Sequence, residues 1–462
     1  RSLAKYRSHQ GGPVDEPLAQ AIESAQRAVA AVPARPEARL ELMRSYAQWG
    51  EAREARSEDP RVLLGQAVAI ADAIPAADRS YEFYVETGLI YKIWADYEDQ
   101  TGGSSYLNRG RAIAAYTQAL QRNDQGPEVL MDLGINYYER AAQPRSPDPD
   151  GDLRQAAAAL DKAKAIAPSH ILPYFYKGQI HTVMAQRLRD RGLPTGSALE
   201  QALAEFRAGL LINPKLPHLH NGIGSVLVEQ AKQTWESGQS PDLLLEQAAR
   251  AYQVAIDVAP EQGNGYSNAA SAWLELAQYK LARGQDPSAS VQAAVALLNR
   301  GLRQAPDFID FWVNLGWAYS LAAQYADVVR RDPQPSLGAA AEALATALQH
   351  NPTSGEAWLY RGAVRATTAR FHARTGTGKD TDFSAAAKSY KKAIELSPEE
   401  AEYRLALGHF CREWAQWRAA AALPPEPALG CALQQVSPLM TLRPAWPEVQ
   451  VLDASVHLLQ AQ

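Results

Sequence analysis

Residues 306–319 read PDFIDFWVNLGWAY and residues 340–352 read AAEALATALQHNP. The first segment is rich in aromatics and contains Leu315, Gly316 and Tyr319; the second is rich in alanine and contains Ala340, Leu344 and Ala347. Apolar or small residues recur in both at three- and four-residue spacing, which predicts two amphipathic helices. Pro352 ends the second, because the residue just past a helix has no intrahelical bond to donate and its ring stops the helix from continuing. The unit is a helix pair.

The pattern returns every 46 residues, at Pro168, Pro214, Pro260, Pro306, Pro352, Pro398 and Pro444. Ten residues after each mark stands a small residue where two helices must approach closely: Gly178, Gly224, Ala270, Gly316, Gly362 and Gly408. Further small residues fall twelve and five positions before the mark, as Ala340 and Ala347 do before Pro352. In the earlier units Asp78 and Asp124 take the place of proline, with Gly88 and Gly134 ten residues later. Aspartate there is expected to cap the next helix.

A repeat chain grows by adding units and needs no single large core, so 462 residues read as one continuous array. The approximate units are 17–60, 61–105, 106–151, 152–197, 198–243, 244–289, 290–335, 336–381, 382–427 and 428–462. Residues 1–16 look like the end of a first helix and its loop, as though the chain began inside a repeat. The first helix of a unit is long, as from Ile309 to Arg330, and the second shorter, as from Ser336 to His350. Loops of turn formers join them, Gly284-Gln-Asp-Pro and Gly376-Thr-Gly-Lys-Asp among them. Ser288 and Asp382 are expected to cap the helices that follow.

The chain is 46% hydrophobic and 21% charged with a formal net charge of −5. Its Lys and Arg are scattered among Asp and Glu, so it shows no electrostatic footprint for nucleic acid. Nowhere do the roughly 18 uninterrupted apolar residues of a bilayer span occur, and RSLAKYRSHQ at the start lacks the apolar core of a secretory signal. Two cysteines, Cys411 and Cys431, read as partly buried thiols, with a disulfide between adjacent helices left open. The expected compartment is the cytoplasm.

These residues resemble the tetratricopeptide family, in which an aromatic, a Leu-Gly pair and a Tyr on the first helix precede Ala, an aromatic and Ala on the second, then Pro. Trp312, Leu315, Gly316, Tyr319, Ala340, Ala347 and Pro352 fit it; Tyr116, Phe206, Tyr252 and Tyr390 supply the second-helix aromatic that Leu344 replaces. The period departs from the family's roughly 34 residues, and the extra residues lengthen the facing ends of both helices. The resemblance implies an all-α solenoid of stacked antiparallel hairpins with a right-handed superhelical course. The phrase from Ala277 to Val291, AQYKLARGQDPSASV, further resembles the long repeats C-terminal to many bacterial serine/threonine protein kinases. That would make this chain a regulatory or substrate-docking region, itself lacking the Gly-rich loop, His-Arg-Asp and Asp-Phe-Gly of a kinase.

Other chemistry reads blandly. Thr375-Gly-Thr-Gly-Lys379 lacks the first glycine and the magnesium-binding Ser or Thr of a phosphate loop, and reads as a turn. His218 and His220, two apart, point to different sides of a helix. No catalytic set, cofactor or metal site is assigned.

The residues three before and one after each small residue are expected to line an inner groove. They are Phe175 and Gln179, Asn221 and Ser225, Ser267 and Ser271, Val313 and Trp317, Leu359 and Ala363, and Leu405 and His409. This stripe carries no formal charge and suits an extended or helical peptide. The function expected is a non-catalytic protein-interaction solenoid. A stand-alone scaffold with no kinase, and a helical enzyme acting in the groove, are the alternatives.

Overall fold

The computed structural model describes residues 15–33, 35–143, 146–444 and 446–461, so the reading of residues 1–14 lies outside it. Among the described residues there are twenty α-helices, one short 3-10 turn and no strand. The first eight are α1 (Asp15–Ala31), α2 (Pro36–Glu54), α3 (Arg61–Asp72), α4 (Tyr81–Gln100), α5 (Tyr106–Leu120), α6 (Pro127–Ala141), α7 (Pro149–Ile166) and α8 (Leu172–Asp190). Then come α9 (Gly196–Ile212), α10 (Pro217–Glu236), α11 (Asp242–Val258), α12 (Gly263–Ala282), α13 (Ser288–Gln304) and α14 (Asp310–Val328). The last are α15 (Gln334–His350), α16 (Gly355–Arg374), α17 (Asp380–Leu396), α18 (Ala401–Ala420), α19 (Glu426–Leu442) and α20 (Pro447–Gln460). The fold is an all-α, tetratricopeptide-like solenoid of helix hairpins. It forms two compact units, one through Ile180 and one from His181 onward.

First helices pack chiefly on their hairpin partners, as α6 on α7, α10 on α11 and α16 on α17, and successive first helices also touch, α12 with α14 and α14 with α16. The glycines explain the closeness. A methyl group on Gly224 would lie 2.5 Å from Tyr252 Cε1, and one on Gly134 would lie 2.7 Å from Leu160 Cγ. In these hairpins the residue eight before the mark therefore drives its ring or isobutyl group against the bare backbone of the first helix, filling the hairpin to interior density, whereas against Gly408 that place is taken by Leu452 of α20.

The joints between units are nearly identical. Ala167, Asn213, Ala259, Ala305, Asn351, Ser397 and Arg443, each preceding a proline, cap their helices with φ between −129° and −140° and ψ between 73° and 98°. Proline forces this extended backbone on the residue before it, while that residue's own N–H still donates to the carbonyl four back, Ala347 in the case of Asn351. The proline carbonyls are used as well. They accept hydrogen bonds from the side chain six residues on: Tyr174 to Pro168 at 2.9 Å, Trp358 to Pro352 at 3.0 Å, and His220 Nε2 against Pro214 at 2.9 Å. Trp358 thus holds a joint as well as packing, and His220 has a structural task.

Several expectations about helix ends need correcting. Asp78 closes the 3-10 turn Ala76–Asp78, while the cap of α4 is Ser80, whose hydroxyl accepts from the Phe83 N–H. Asp124 lies in a turn, and Gly126 precedes α6. Ser288 is the first residue of α13 and its N–H donates to Asp286; Asp382 sits at the third position of α17, where its carboxylate accepts from the Lys379 N–H. A side chain two or three residues away serves these helix starts because the turn brings it under the free amides. The 375–379 segment is the turn between α16 and α17. First helices end with Gly102, Gly192, Gly238, Gly284 and Gly376 at φ between 69° and 80°; Arg330 and Ala422 hold the same place at φ 60° and 55°. This early left-handed turn stops α14 at Val328, two residues short of the expected end.

Cys411 and Cys431 are joined in a disulfide between α18 and α19, with Cα atoms 5.8 Å apart. This replaces the reading of two free thiols. Three residues past Gly408, Cys411 points into the hairpin toward the start of α19, and both residues are buried.

Candidate functional site

In the unit from His181 onward, the first helices α10, α12, α14, α16 and α18 present equivalent faces whose residues recur with the repeat. The expected stripe divides here. Ser267, Val313 and Trp317 are 7%, 4% and 8% exposed and so are not open contacts for a partner. Ser267 Oγ accepts from Asn314 Nδ2 at 2.9 Å, tying α12 to α14, and Trp317 stacks on Tyr360 of α16 with ring centroids 5.2 Å apart and planes 10° from parallel. In each case the neighbouring first helix offers a side chain two before its small residue, which covers the position one or three away on the helix before.

Asn221, Ser225, Ser271, Leu359 and His409 stay half-buried and reachable. The Ser225 hydroxyl donates to the Asn221 carbonyl at 3.1 Å and lies 3.2 Å from Tyr252 OH. Burial, with help from the Arg412 charge and against that of Glu413, lowers the His409 pKa and so favours the neutral imidazole. Phe175 and Gln179 belong to the other unit, where both are half-buried and Phe175 meets Tyr176 edge to face at 5.2 Å.

The main omission of the sequence reading is charge on this face. Counting on from Ser225 by helical steps gives Glu229, Lys232 and Glu236, and from Ser271 gives Glu275, all on the side that Ser225 and Ser271 occupy. Glu229 is 7% exposed and lies 3.2 Å from Arg189 and 3.8 Å from Lys232; Lys232 is also 3.8 Å from Glu275. Six residues before the small residue stand Asp310, Glu356 and Glu402, at or near the starts of α14, α16 and α18. Carrying Ser225 four residues forward in the 46-residue register reaches Glu229, Glu275 and Glu413 but also Leu321 and Thr367, so the register alone shows only part of this charge.

These groups sense one another across helices that are far apart in sequence. Desolvation, then Asp310 and Glu400, raise the Glu356 pKa, and Lys232 opposes this. Desolvation likewise raises Glu275, Asp310 and Glu400. Burial works against the Lys232 charge, but Glu275 and Glu229 outweigh it and leave its pKa raised. Glu356 is exposed and Glu275 keeps 22% of its side-chain surface, so water reaches carboxylates that protein nonetheless flanks on several sides.

Among the described residues, no group of His, Cys, Asp and Glu is arranged to hold a metal ion, and no helix is long and apolar enough to cross a membrane. Neither a protein-family model nor a curated protein matches the chain. Its fold is similar to several solved repeat proteins. Yeast Tom70 is 12% identical, with 97% of this chain and 86% of that one covered at a TM-score of 0.46. A tetratricopeptide repeat protein from Parabacteroides merdae is also 12% identical, covering 72% and 99% at 0.45. The Thermus thermophilus tetratricopeptide repeat protein TTC0263 is 19% identical, covering 54% and 99% at 0.34.

Proposed function

We propose that this chain is a non-catalytic protein-interaction solenoid whose unit from His181 onward takes a peptide or helical segment of a partner along the inner face of α10, α12, α14, α16 and α18. The observation that carries this reading is the run of facing charges that links successive first helices, Glu229 lying 3.2 Å from Arg189 and Lys232 lying 3.8 Å from both Glu229 and Glu275. Half-buried Asn221, Ser225, Ser271, Leu359 and His409 supply amide, hydroxyl and apolar contacts beside it. Such a face offers many weak contacts already in register, which limits the ordering cost of binding on this side.

The experiment is capture of partners from the source cell's lysate by the intact chain and by a Ser225→Glu, Ser271→Glu, Leu359→Glu variant. The variant should lose the captured protein while keeping its helix content. Equal capture by both moves the binding surface elsewhere.

A bacterial serine/threonine kinase is the particular setting suggested by residues 277–291; the likenesses to solved structures add nothing to it, and the sequence upstream of Arg1 decides between it and a stand-alone scaffold. The cytoplasmic placement drew on a start that lacks the apolar core of a secretory signal and on reading the two cysteines as thiols. The Cys411–Cys431 pair weighs instead toward an oxidising compartment, and thiol titration of the protein from its native source tests that.

A further inference from the structure

Arg443 breaks the rule of the repeat at its own joint. The six equivalent residues before a proline, Ala167, Asn213, Ala259, Ala305, Asn351 and Ser397, are short and uncharged. Pro444 sets the backbone at Arg443 as the other prolines do at theirs, so this side chain is not needed to end α19. Yet it is 5% exposed and lies among three carboxylates from three helices. Its Nη2 is 2.9 Å from Glu236 at the last residue of α10, Nη1 is 3.1 Å from Glu402 in the first turn of α18, and Nε is 3.5 Å from Asp190 at the last residue of α8. The guanidinium also lies over Trp446, 4.1 Å from the ring.

Glu236 and Arg443 are 207 residues apart, so the beginning and end of the unit's row of helices meet at this side chain. A guanidinium taken out of water among several carboxylates gains little net stability but strongly prefers one arrangement, because separating the partners leaves desolvated charges unmatched. Its planar fork offers separate N–H donors to two of the acids at fixed angles, a geometry that the single rotating ammonium of a lysine does not fix.

We propose that Arg443 is a latch that closes residues 181–462 into a turn and thereby controls access to the inner face. The closure stands on the Arg443 contacts alone; the claim about access rests on the inner face being the capture surface.

Small-angle scattering and amide hydrogen exchange on the intact chain test the closure without any partner. Arg443→Glu sets a fourth negative charge among Asp190, Glu236 and Glu402. It should enlarge the radius of gyration with helix content kept, and speed exchange in the last turns of α8 and α10 by roughly tenfold or more. Arg443→Glu combined with Glu236→Arg should return the radius toward the wild-type value. Wild-type scattering and exchange in Arg443→Glu would overturn the latch. Should that variant lose helix, Glu236→Gln with Glu402→Gln asks the same question more gently, and an unchanged radius there refutes the closure equally. Access is read separately, as the rate at which the partner recovered in the capture experiment associates. Expansion without faster association removes the claim about access and leaves the closure standing.

Discussion

Gly362 on α16 faces Tyr390 on α17 so closely that a methyl group on the glycine would lie 2.7 Å from Tyr390 Cδ1. Gly338, on the second helix α15, has nothing within 4 Å of the same imagined atom. The two positions should therefore respond to one substitution with opposite signs. Gly362→Ala should destabilise by about 1–3 kcal/mol through overpacking. Gly338→Ala should stabilise by about 0.5–1 kcal/mol through helix propensity. Denaturant midpoints at unchanged slope measure both.

Ala422 holds a left-handed backbone, φ 55°, where five other loops use glycine. Its Cβ is strained against the following carbonyl in that region. Ala422→Gly should gain about 1 kcal/mol, while Gly284→Ala at φ 71° should lose a similar amount. Opposite shifts in thermal midpoint check the pair; shifts of the same sign would remove the explanation.

The disulfide spans 20 residues of sequence between two packed helices. Closing a loop of that size should contribute about 3 kcal/mol by restricting the unfolded chain. Cys431→Ser should lower the urea midpoint in oxidising buffer and leave a protein insensitive to reductant. A wild-type protein equally stable with and without reductant would contradict the assignment.

Glu356 supplies the pH dependence. Desolvation and its acidic neighbours raise its pKa in the folded state, so the folded protein holds that proton more firmly than the unfolded chain does. Its contribution to stability is full below the ordinary carboxylate value, about 4.3, and is lost as pH rises through the higher folded value. Glu356→Gln should accordingly raise the thermal midpoint at pH 7 and match the wild type near pH ~4. A constant difference across that range would mean the carboxylate carries no such penalty.

Gly316, Ala347 and Pro352 were legible because a close helix approach and a helix stop tolerate few side chains, so the chain repeats them. Trp317 was misjudged because its cover, Tyr360, comes from the next first helix, where the equivalent residues Asn314 and Ala406 are of different size. Glu229 and Glu275 escaped notice because the register they share holds Leu321 and Thr367 in the next two units before an acid returns at Glu413, and their meaning depends on Lys232 lying between. Arg443 was invisible for a related reason: nothing along the chain announces that residues 207 apart will meet. Residue pairs inside one hairpin can be inferred from spacing, whereas the curvature that brings distant hairpins together accumulates from small angles at every joint.

The near-identity of the seven capped joints bears on how such a chain changes over generations. A stretch of gene copied or dropped between any two of them rejoins backbone to backbone in the geometry already present at every other junction. Length is therefore the property most easily altered by recombination, and the Arg443 contact, which requires a fixed count of units between its partners, is the feature that would hold this length in place.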